Sequence, residues 1–342
     1  MLRDTAEKVT KGGITALMLA CWLGDLGDAY ACVRALLIAK ADPKSASGEH
    51  GLTALHVAAE SPLPEIQLRN PWSLRCPTPV LTPMPLPTPV DGYEEVVELL
   101  AKNLGQGQVD LKLKDGKTAL MLACKNGNAE SAEELLKYGA DPELQENDTS
   151  PDGFSAIMHA ALYGHDKCIA VVLRYAKQRL EDGELSRTST KLKESGPVRA
   201  VNKNGDTALH LASLFGQRKV VQLLLRERAD VNALNKKGES ALHSASKSGH
   251  AQVVCALLTG GAEVDQQDRD RGYTALHYCC TTNGGKDVAD ALMEVGAKVD
   301  LVGKDKNTPL HLACMSGNHR IVDALRKKKV RSGDPASAPA LA

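Results

Sequence analysis

Histidines and cysteines are the residues of this 342-residue chain whose types and spacing could do chemistry. The segments 277–280 (HYCC) and 311–314 (HLAC) hold imidazole and thiol groups, which are ligands that Zn²⁺ prefers. Zinc sites usually pair their cysteines as CxxC on turns, and this chain has no such pair. We therefore expect no metal ion and no other cofactor, and the histidines need a different explanation.

A short string recurs around these histidines. It begins with Thr or Ser, continues with Ala or Pro and an aliphatic residue, and reaches His or Met at its fourth position. The last four copies begin 33 or 34 residues apart, and the earlier spacings of 38, 65, 37 and 52 residues add insertions to that period. The eight copies begin at Thr15, Thr53, Thr118, Ser155, Thr207, Ser240, Thr274 and Thr308.

Each copy predicts two short helices and a turn. The first Thr or Ser precedes an apolar run with helical spacing, so we expect it to cap the first helix. In the fifth copy Leu209 and Ala212 fall on one side of that helix, and Gly216 ends it. A second apolar stretch around Val221 follows, and a polar turn ends at Gly238. One such unit cannot bury its apolar face alone, so the units must stack.

The repeat resembles the ankyrin family. A period of about 33 residues with Thr-Pro-Leu-His-x-Ala, as in 308–313 (TPLHLA), is typical of that family. The later segments 139–142 (GADP), 261–265 (GAEVD) and 296–300 (GAKVD) are also similar to it. The resemblance implies an all-α solenoid of stacked helix–turn–helix–β-hairpin repeats in a single elongated domain.

The predicted organisation is an N-terminal cap over 1–10, a solenoid over 11–330 and a disordered tail over 331–342. We expect the eight repeats at 11–47, 48–113, 114–150, 151–202, 203–235, 236–269, 270–303 and 304–330.

Two insertions and one basic cluster interrupt this pattern. The Pro-rich insertion 62–91 contains no PxxP, so we favour a solvated loop over a ligand for an SH3-type domain. The insertion 179–198 is charged and rich in Ser and Thr, which predicts a mobile loop and leaves phosphorylation open. The basic residues of 326–331 suit the end of the last helix, with a targeting signal as the alternative.

The resemblance implies a structural role for the repeated histidine, which hydrogen-bonds the backbone of the adjoining hairpin. It also implies hydroxylation at Asn232, because Leu224, Asp230 and Val231 precede it in the matching pattern. The histidines concerned are His56, His210, His243, His277 and His311.

Four cysteines share one position of the repeat, six residues after its first Thr. We expect this position to be packed, with cysteine acting as a small apolar residue. Stacked helices lie about 9–10 Å apart, which is too far for a disulfide between equivalent positions. Cys76, inside an insertion, is expected to be an exposed thiol. The four packed cysteines are Cys21, Cys124, Cys280 and Cys314.

The resemblance places partner binding on the hairpin tips and on the concave face of the first helices. The seventh and eighth residues after each initial Thr or Ser should point outward there. In adjacent repeats these are Leu162 with Tyr163 and Leu214 with Phe215, which predicts one apolar patch. The alternative is that each aromatic ring packs beneath a neighbouring hairpin. Trp22 and Leu23 hold the same positions in the first repeat, where Trp22 could instead cap the stack.

Charge and composition limit the classes of function. Lys plus Arg and Asp plus Glu balance at 42 each, so we expect no nucleic-acid partner. The tips carry both signs of charge, as in 268–271 (DRDR), which suits specificity. No stretch has the length of a signal peptide or membrane span. These features predict a cytoplasmic monomer, with nuclear import left open by the basic cluster.

No Gly-rich phosphate loop and no Ser/His/Asp signature is visible in the sequence. An enzyme would have to use Asp and His pairs that already hold structural places in the repeat. The predicted function is therefore a non-enzymatic scaffold or adaptor that binds another protein. A stoichiometric inhibitor or regulatory subunit of an enzyme or transcription factor is the alternative.

Overall fold

The computed structural model describes residues 9–10, 13–22, 29–47, 50–60, 93–105, 107–147, 150–181, 196–282 and 285–331. Several predictions lie outside these residues. They are the cap apart from 9–10, the insertion 62–91 with Cys76, residues 182–195 of the insertion 179–198, the tail beyond 331, and Leu23.

The predicted all-α repeat architecture is confirmed. The chain divides by its contacts into two compact units, Met1–Ser150 and Pro151–Ala342, a division that the repeat spacing does not predict. No β-strand occurs in the described ranges, and the connections predicted as β-hairpins are turns. Each turn has too few backbone hydrogen bonds to form a ladder.

Among its described residues, the first unit holds three pairs of helices. They are α1 (Ala16–Trp22), α2 (Ala29–Ile38), α3 (Ala54–Glu60), α4 (Tyr93–Leu104), α5 (Ala119–Asn126) and α6 (Ala129–Lys137).

The part of the second unit that the structure describes holds five pairs of helices and a short 3₁₀ helix, Pro197–Arg199. The helices are α7 (Ala156–Tyr163), α8 (Asp166–Glu181), α9 (Ala208–Leu214), α10 (Arg218–Arg226), α11 (Ala241–Ser248), α12 (Ala251–Thr259), α13 (Ala275–Cys280), α14 (Gly285–Glu294), α15 (Pro309–Met315) and α16 (His319–Arg331).

The first helix of each pair begins where the sequence predicts. Thr118 Oγ1 accepts a hydrogen bond from the Met121 N–H at 3.4 Å, and Thr207 Oγ1 accepts one from the His210 N–H at 3.4 Å. A side-chain oxygen thereby satisfies one of the free N–H groups at each helix start. Gly216, with φ +74°, follows α9 in the left-handed conformation that ends a helix.

The core runs through the first helices and one face of the second helices. Leu209 and Ala212 of α9 are buried, and α9 packs on both α7 and α11. In α10 only the face containing Val220, Val221 and Leu224 is buried. Burying one such aliphatic side chain stabilises the folded state by about 1.5–3 kcal/mol. A single repeat has no neighbour to cover its apolar faces. Stacking on neighbours therefore supplies the stability.

The turns between repeats depend on left-handed backbone. Gly238 has φ +76°, and a Cβ atom there would lie 2.7 Å from the backbone N of Arg269 in the next turn. Lys306 adopts φ +62° in the corresponding turn of the last repeat, where a side chain is strained. The turns therefore tolerate a side chain at this position only where space permits.

We expect Gly238→Ala to lower the free energy of unfolding by at least about 1–2 kcal/mol, because it adds both strain and a contact with Arg269. Lys306→Gly should raise it by up to about 1 kcal/mol, because it removes strain. Urea unfolding followed by circular dichroism measures both changes. Equal stability of Gly238→Ala and the wild type would contradict this account of the turn.

Candidate functional site

The repeated histidine lies between its own helix start and the following turn. The Thr207 N–H donates to His210 Nδ1 at 3.2 Å, so Nδ1 carries no proton. His210 Nε2 then carries the proton and donates to the Glu239 carbonyl at 3.0 Å. The ring thus bridges two repeats, using one nitrogen as acceptor and the other as donor.

His243 and His277 repeat this geometry. His243 Nε2 lies 3.0 Å from the Gln266 carbonyl and 3.1 Å from the Tyr273 carbonyl. His277 Nε2 lies 3.2 Å from the Asn307 carbonyl, and its ring stacks on the Tyr273 ring at 5.0 Å. Burial lowers the pKa of both imidazoles, as it does for His210, so the neutral rings suit these bonds.

His56 and His311 depart from this arrangement. Burial lowers the pKa of His56 to about 4, against the opposing effect of the Leu111 and Lys117 backbone. Its Nδ1 lies 2.7 Å from Thr53 Oγ1, but no hydrogen bond of normal geometry reaches Nε2 among the described residues. His311 is exposed and is bonded at Nδ1 to Thr308. No turn in the described chain covers it, so its second nitrogen bridges no repeats.

An exposed apolar surface lies at the ends of two neighbouring first helices. Tyr163 ends α7 and is 49% exposed, while Leu214 and Phe215 end α9 and are 37% and 52% exposed. Leu162 is half-buried beside them. We call Leu162, Tyr163, Leu214 and Phe215 the apolar patch. The exposure of both rings disfavours the alternative in which they pack beneath a neighbouring hairpin.

The backbone around the apolar patch is fixed. Gly164, with φ +86°, follows α7, and its N–H donates to the Ala160 carbonyl at 3.0 Å. Gln217 Nε2 donates to the Leu162 carbonyl at 3.4 Å, which joins the two repeats. The Tyr163 ring stacks near His165 with 6.4 Å between centroids. The patch is therefore held by helix ends rather than by a long loop.

A groove beside the patch was not predicted from sequence. It has a volume of about 260 Å³ and lies along α9 and α11, with Leu211 and Leu214 on one side. Asp206, Glu239 and Lys247 also line it. Its polar and apolar residues are up to about 40 positions apart, so only the register of the stack brings them together.

The family model for ankyrin repeats in three copies matches residues 90–182, 190–268 and 253–334, and the model for a single ankyrin repeat matches 12–47. This chain belongs to the ankyrin-repeat family. Ankyrin repeats generally mediate protein–protein interaction and are typically non-catalytic.

Similar ankyrin proteins include a probable E3 ubiquitin-protein ligase, XBOS32, of Oryza sativa subsp. japonica, 32% identical over 39% of this chain and 28% of that protein. SH3 and multiple ankyrin repeat domains protein 2 of Homo sapiens is 25% identical over 72% of this chain and 10% of that protein. The human transient receptor potential cation channel subfamily A member 1 is 32% identical over 64% and 18%. The chain thus spans less than a third of each of these relatives.

Two further predicted site residues, Trp22 and Asn232, are not members of the apolar patch. Trp22 ends α1 in the first unit and is half-buried. Asn232 is half-exposed, and its Oδ1 accepts a hydrogen bond from the Glu263 N–H at 2.9 Å in the next repeat. Hydroxylation of Asn232 stays a prediction.

Within the described ranges, no three His, Cys, Asp or Glu side chains come close enough to hold a metal ion. None of the helices in the described part of the chain has the length and apolar composition needed to cross a bilayer.

The cysteine prediction was wrong at one position. Cys21, Cys124 and Cys280 are buried, but Cys314 is exposed on α15. Cys21 and Cys280 each lie on a helix that packs against the first helix of a following repeat in the same unit, whereas no described residue lies over this side of α15. The sequence pattern reports the position within a repeat, whereas burial also depends on the neighbour.

Native protein should therefore react with iodoacetamide at Cys32, Cys255 and Cys314 and be protected at the buried cysteines. Peptide mass spectrometry after short labelling resolves each residue. The protected set is Cys21, Cys124, Cys168, Cys279 and Cys280. Labelling of Cys280 as fast as Cys314 would contradict the stacking of the repeats. Labelling of the unfolded protein in urea is the control, because it gives the rate for each cysteine without protection by the fold.

Lowering the pH from 7.5 to 5 should destabilise the first unit through His56. The unfolded imidazole binds a proton near pH 6.5, whereas the pKa of folded His56 is about 4. The unfolded state therefore binds more protons across this window, and His56 accounts for a loss of about 2 kcal/mol at pH 5. Stability is retained above pH 6.5.

His56→Gln should show a smaller loss over the same pH range in urea unfolding. Leu55→Ala, at a buried neighbouring position, serves as the control because it should lower stability equally at both pH values. An unchanged pH dependence in His56→Gln would show that His56 does not titrate in this way.

Proposed function

We propose that this chain is a non-enzymatic scaffold or adaptor that binds another protein through the first-helix face and turn tips of its second unit. The observation that carries this proposal is the apolar patch, where Tyr163, Leu214 and Phe215 stand exposed on adjacent helix ends. Exposed apolar clusters that include aromatic rings are typical of protein-binding surfaces.

The energetics of the patch favour binding. Full burial of an exposed aliphatic or aromatic side chain is worth about 1.5–3 kcal/mol, and a partner gains roughly half of that at each patch residue, because Tyr163, Leu214 and Phe215 are 37–52% exposed. The patch is attached to helix ends, and the Gln217 bond already links its two repeats. Little backbone entropy is therefore lost when a partner docks.

The groove beside Leu214 adds polar groups to the same surface. Glu239 Oε1 lies 3.9 Å from Lys247 Nζ and accepts a hydrogen bond from the Tyr278 hydroxyl at 3.2 Å. A partner whose own charged groups replace the contacts that Glu239 and Lys247 make with each other and with Tyr278 would gain specificity more than affinity. Membership of the ankyrin family supports protein binding as the general role.

Replacing Tyr163 and Phe215 together by Glu should weaken partner binding by at least tenfold, because two charges replace two apolar contacts. The measurement is an affinity pulldown from the source cell, followed by titration of the purified partner. Val295→Glu is the matched control, because Val295 is 58% exposed but follows a second helix, α14.

Circular dichroism and urea unfolding establish that each variant is folded. A partner lost by the double variant and kept by Val295→Glu supports the proposal. A partner bound equally by both variants contradicts the assignment of this surface, and the absence of any stoichiometric partner contradicts the function itself.

A further inference from the structure

The turns of the second unit form an edge with a net positive charge. Three successive turns, 236–239, 269–272 and 304–307, contain six cations and three carboxylates, although the whole chain is neutral. All six cations are exposed. We call these residues the basic edge: Lys236, Lys237, Arg269, Arg271, Lys304 and Lys306.

Backbone hydrogen bonds place the cations in register. In each turn the residue that donates its N–H to the preceding turn is Lys or Arg. Lys236 donates to the Asn204 carbonyl at 2.9 Å, Arg269 to the Lys237 carbonyl at 2.8 Å, and Lys304 to the Arg271 carbonyl at 2.7 Å. Neighbouring helices of the stack lie about 10 Å apart, so equivalent cations recur at about that spacing.

The turns are also fixed internally. Asn235 Oδ1 accepts hydrogen bonds from the Lys237 N–H at 3.0 Å and from the Glu239 N–H at 2.9 Å. Asp268 Oδ1 accepts from the Arg271 N–H at 2.6 Å, and its Oδ2 accepts from the Tyr273 N–H at 3.2 Å. A ligand would therefore meet backbone that is already ordered.

Two of the three carboxylates in these turns are engaged by the protein. Glu239 accepts from the Tyr278 hydroxyl, and Asp305 accepts from the Tyr273 hydroxyl. The third, Asp270, is exposed. In the described ranges no ion pair joins a cation of the basic edge to a carboxylate, and the Lys304 ammonium donates to the Arg269 carbonyl.

Exposed apolar residues accompany the cations. Leu234 lies two positions before Lys236, and Val302 lies two positions before Lys304. Both are exposed, and Val201 is exposed at the same place one repeat earlier. The first and third turns of the edge therefore add an aliphatic residue to their cations, and the second has the exposed Gln267 at that position. No aromatic ring stands exposed in these three turns for stacking on nucleic-acid bases.

We propose that the basic edge binds an acidic, extended polypeptide segment whose carboxylates recur at every third residue. An extended chain in the polyproline II conformation has three residues per turn and rises about 3.1 Å per residue, so every third side chain lies on the same face. Three residues then span about 9 Å, close to the roughly 10 Å between equivalent cations. Aliphatic residues between the carboxylates contact the apolar positions of the edge. This inference rests on the proposed protein-binding function and names the chemistry of one partner segment.

The test uses the full chain and two labelled twelve-residue peptides of identical composition. One has Glu at every third position among Val and Ser, and the other has its four Glu residues contiguous. Fluorescence anisotropy in 50 mM salt should show at least tenfold tighter binding of the spaced peptide. The affinity should fall when the salt concentration rises, because the contacts are exposed ion pairs.

Matched charge variants locate the site. Replacing Lys236, Arg269 and Lys304 by Gln should weaken binding of the spaced peptide by at least tenfold. Replacing Arg218, Lys219 and Arg226 by Gln is the control, because it removes three exposed cations from the second helix α10. Equal loss in both variants, equal binding of both peptides, or tighter binding of a single-stranded oligonucleotide would overturn the proposal.

The same variants separate this inference from the proposed function. The double variant Tyr163→Glu with Phe215→Glu should bind the spaced peptide with unchanged affinity, because neither residue belongs to the basic edge. If the spaced peptide fails while the pulldown partner still requires the apolar patch, the inference falls and the proposed function stands. If the peptide binds at the basic edge and no pulldown partner requires the patch, the assignment of the patch falls instead.

Discussion

A buried, neutral imidazole that joins one repeat to the next is the interaction on which the second unit depends. In His210, Nδ1 accepts a hydrogen bond from the Thr207 N–H at its own helix start, and the Nε2–H donates a hydrogen bond to the Glu239 carbonyl. Both bonds require a single protonation state, and burial secures that state by disfavouring the charged ring. The start of α9 and the position of the following turn are thereby fixed by one side chain.

The two surfaces that we propose for binding follow from that constraint. Once each turn is placed against the preceding helix, its N–H reaches the carbonyl of the preceding turn, as Arg269 does with Lys237. The side chains of successive turns then stand in register. The same stacking brings the ends of α7 and α9 together, and so Tyr163 lies near Leu214 and Phe215. Two different binding chemistries thus come from one repeated geometry.

Local features could be predicted from the sequence because each depends on a few neighbouring residues. Thr207 and His210 indicated the helix start, and Gly216 its end, from propensity and spacing alone. The position of Phe215 in its repeat suggested that the ring is exposed. The sequence did not exclude a ring packed beneath the neighbouring hairpin, because that packing depends on another repeat.

Features that depend on two repeats could not be predicted in this way. Cys314 has the sequence context of a packed residue and is exposed because no described residue covers it. The basic edge could not be predicted either. In the sequence, 236–237 and 268–271 are short polar segments, and only the hydrogen bonds between turns bring their cations into register. The division into two units has no counterpart in the repeat spacing at all.

The open side of α15 gives the last repeat an energetic property of its own. Its Leu310, His311 and Cys314 are exposed where earlier repeats bury the same positions, so among the described residues it has an interface on one side only. In a nearest-neighbour array, such a repeat unfolds locally at a lower free energy than the others. Lys304 lies in the turn of this repeat, and Arg269 lies in the preceding turn. A segment bound across both residues therefore also stabilises this repeat against local unfolding. Affinity at the edge and the amide-exchange rate of α15 are therefore thermodynamically linked.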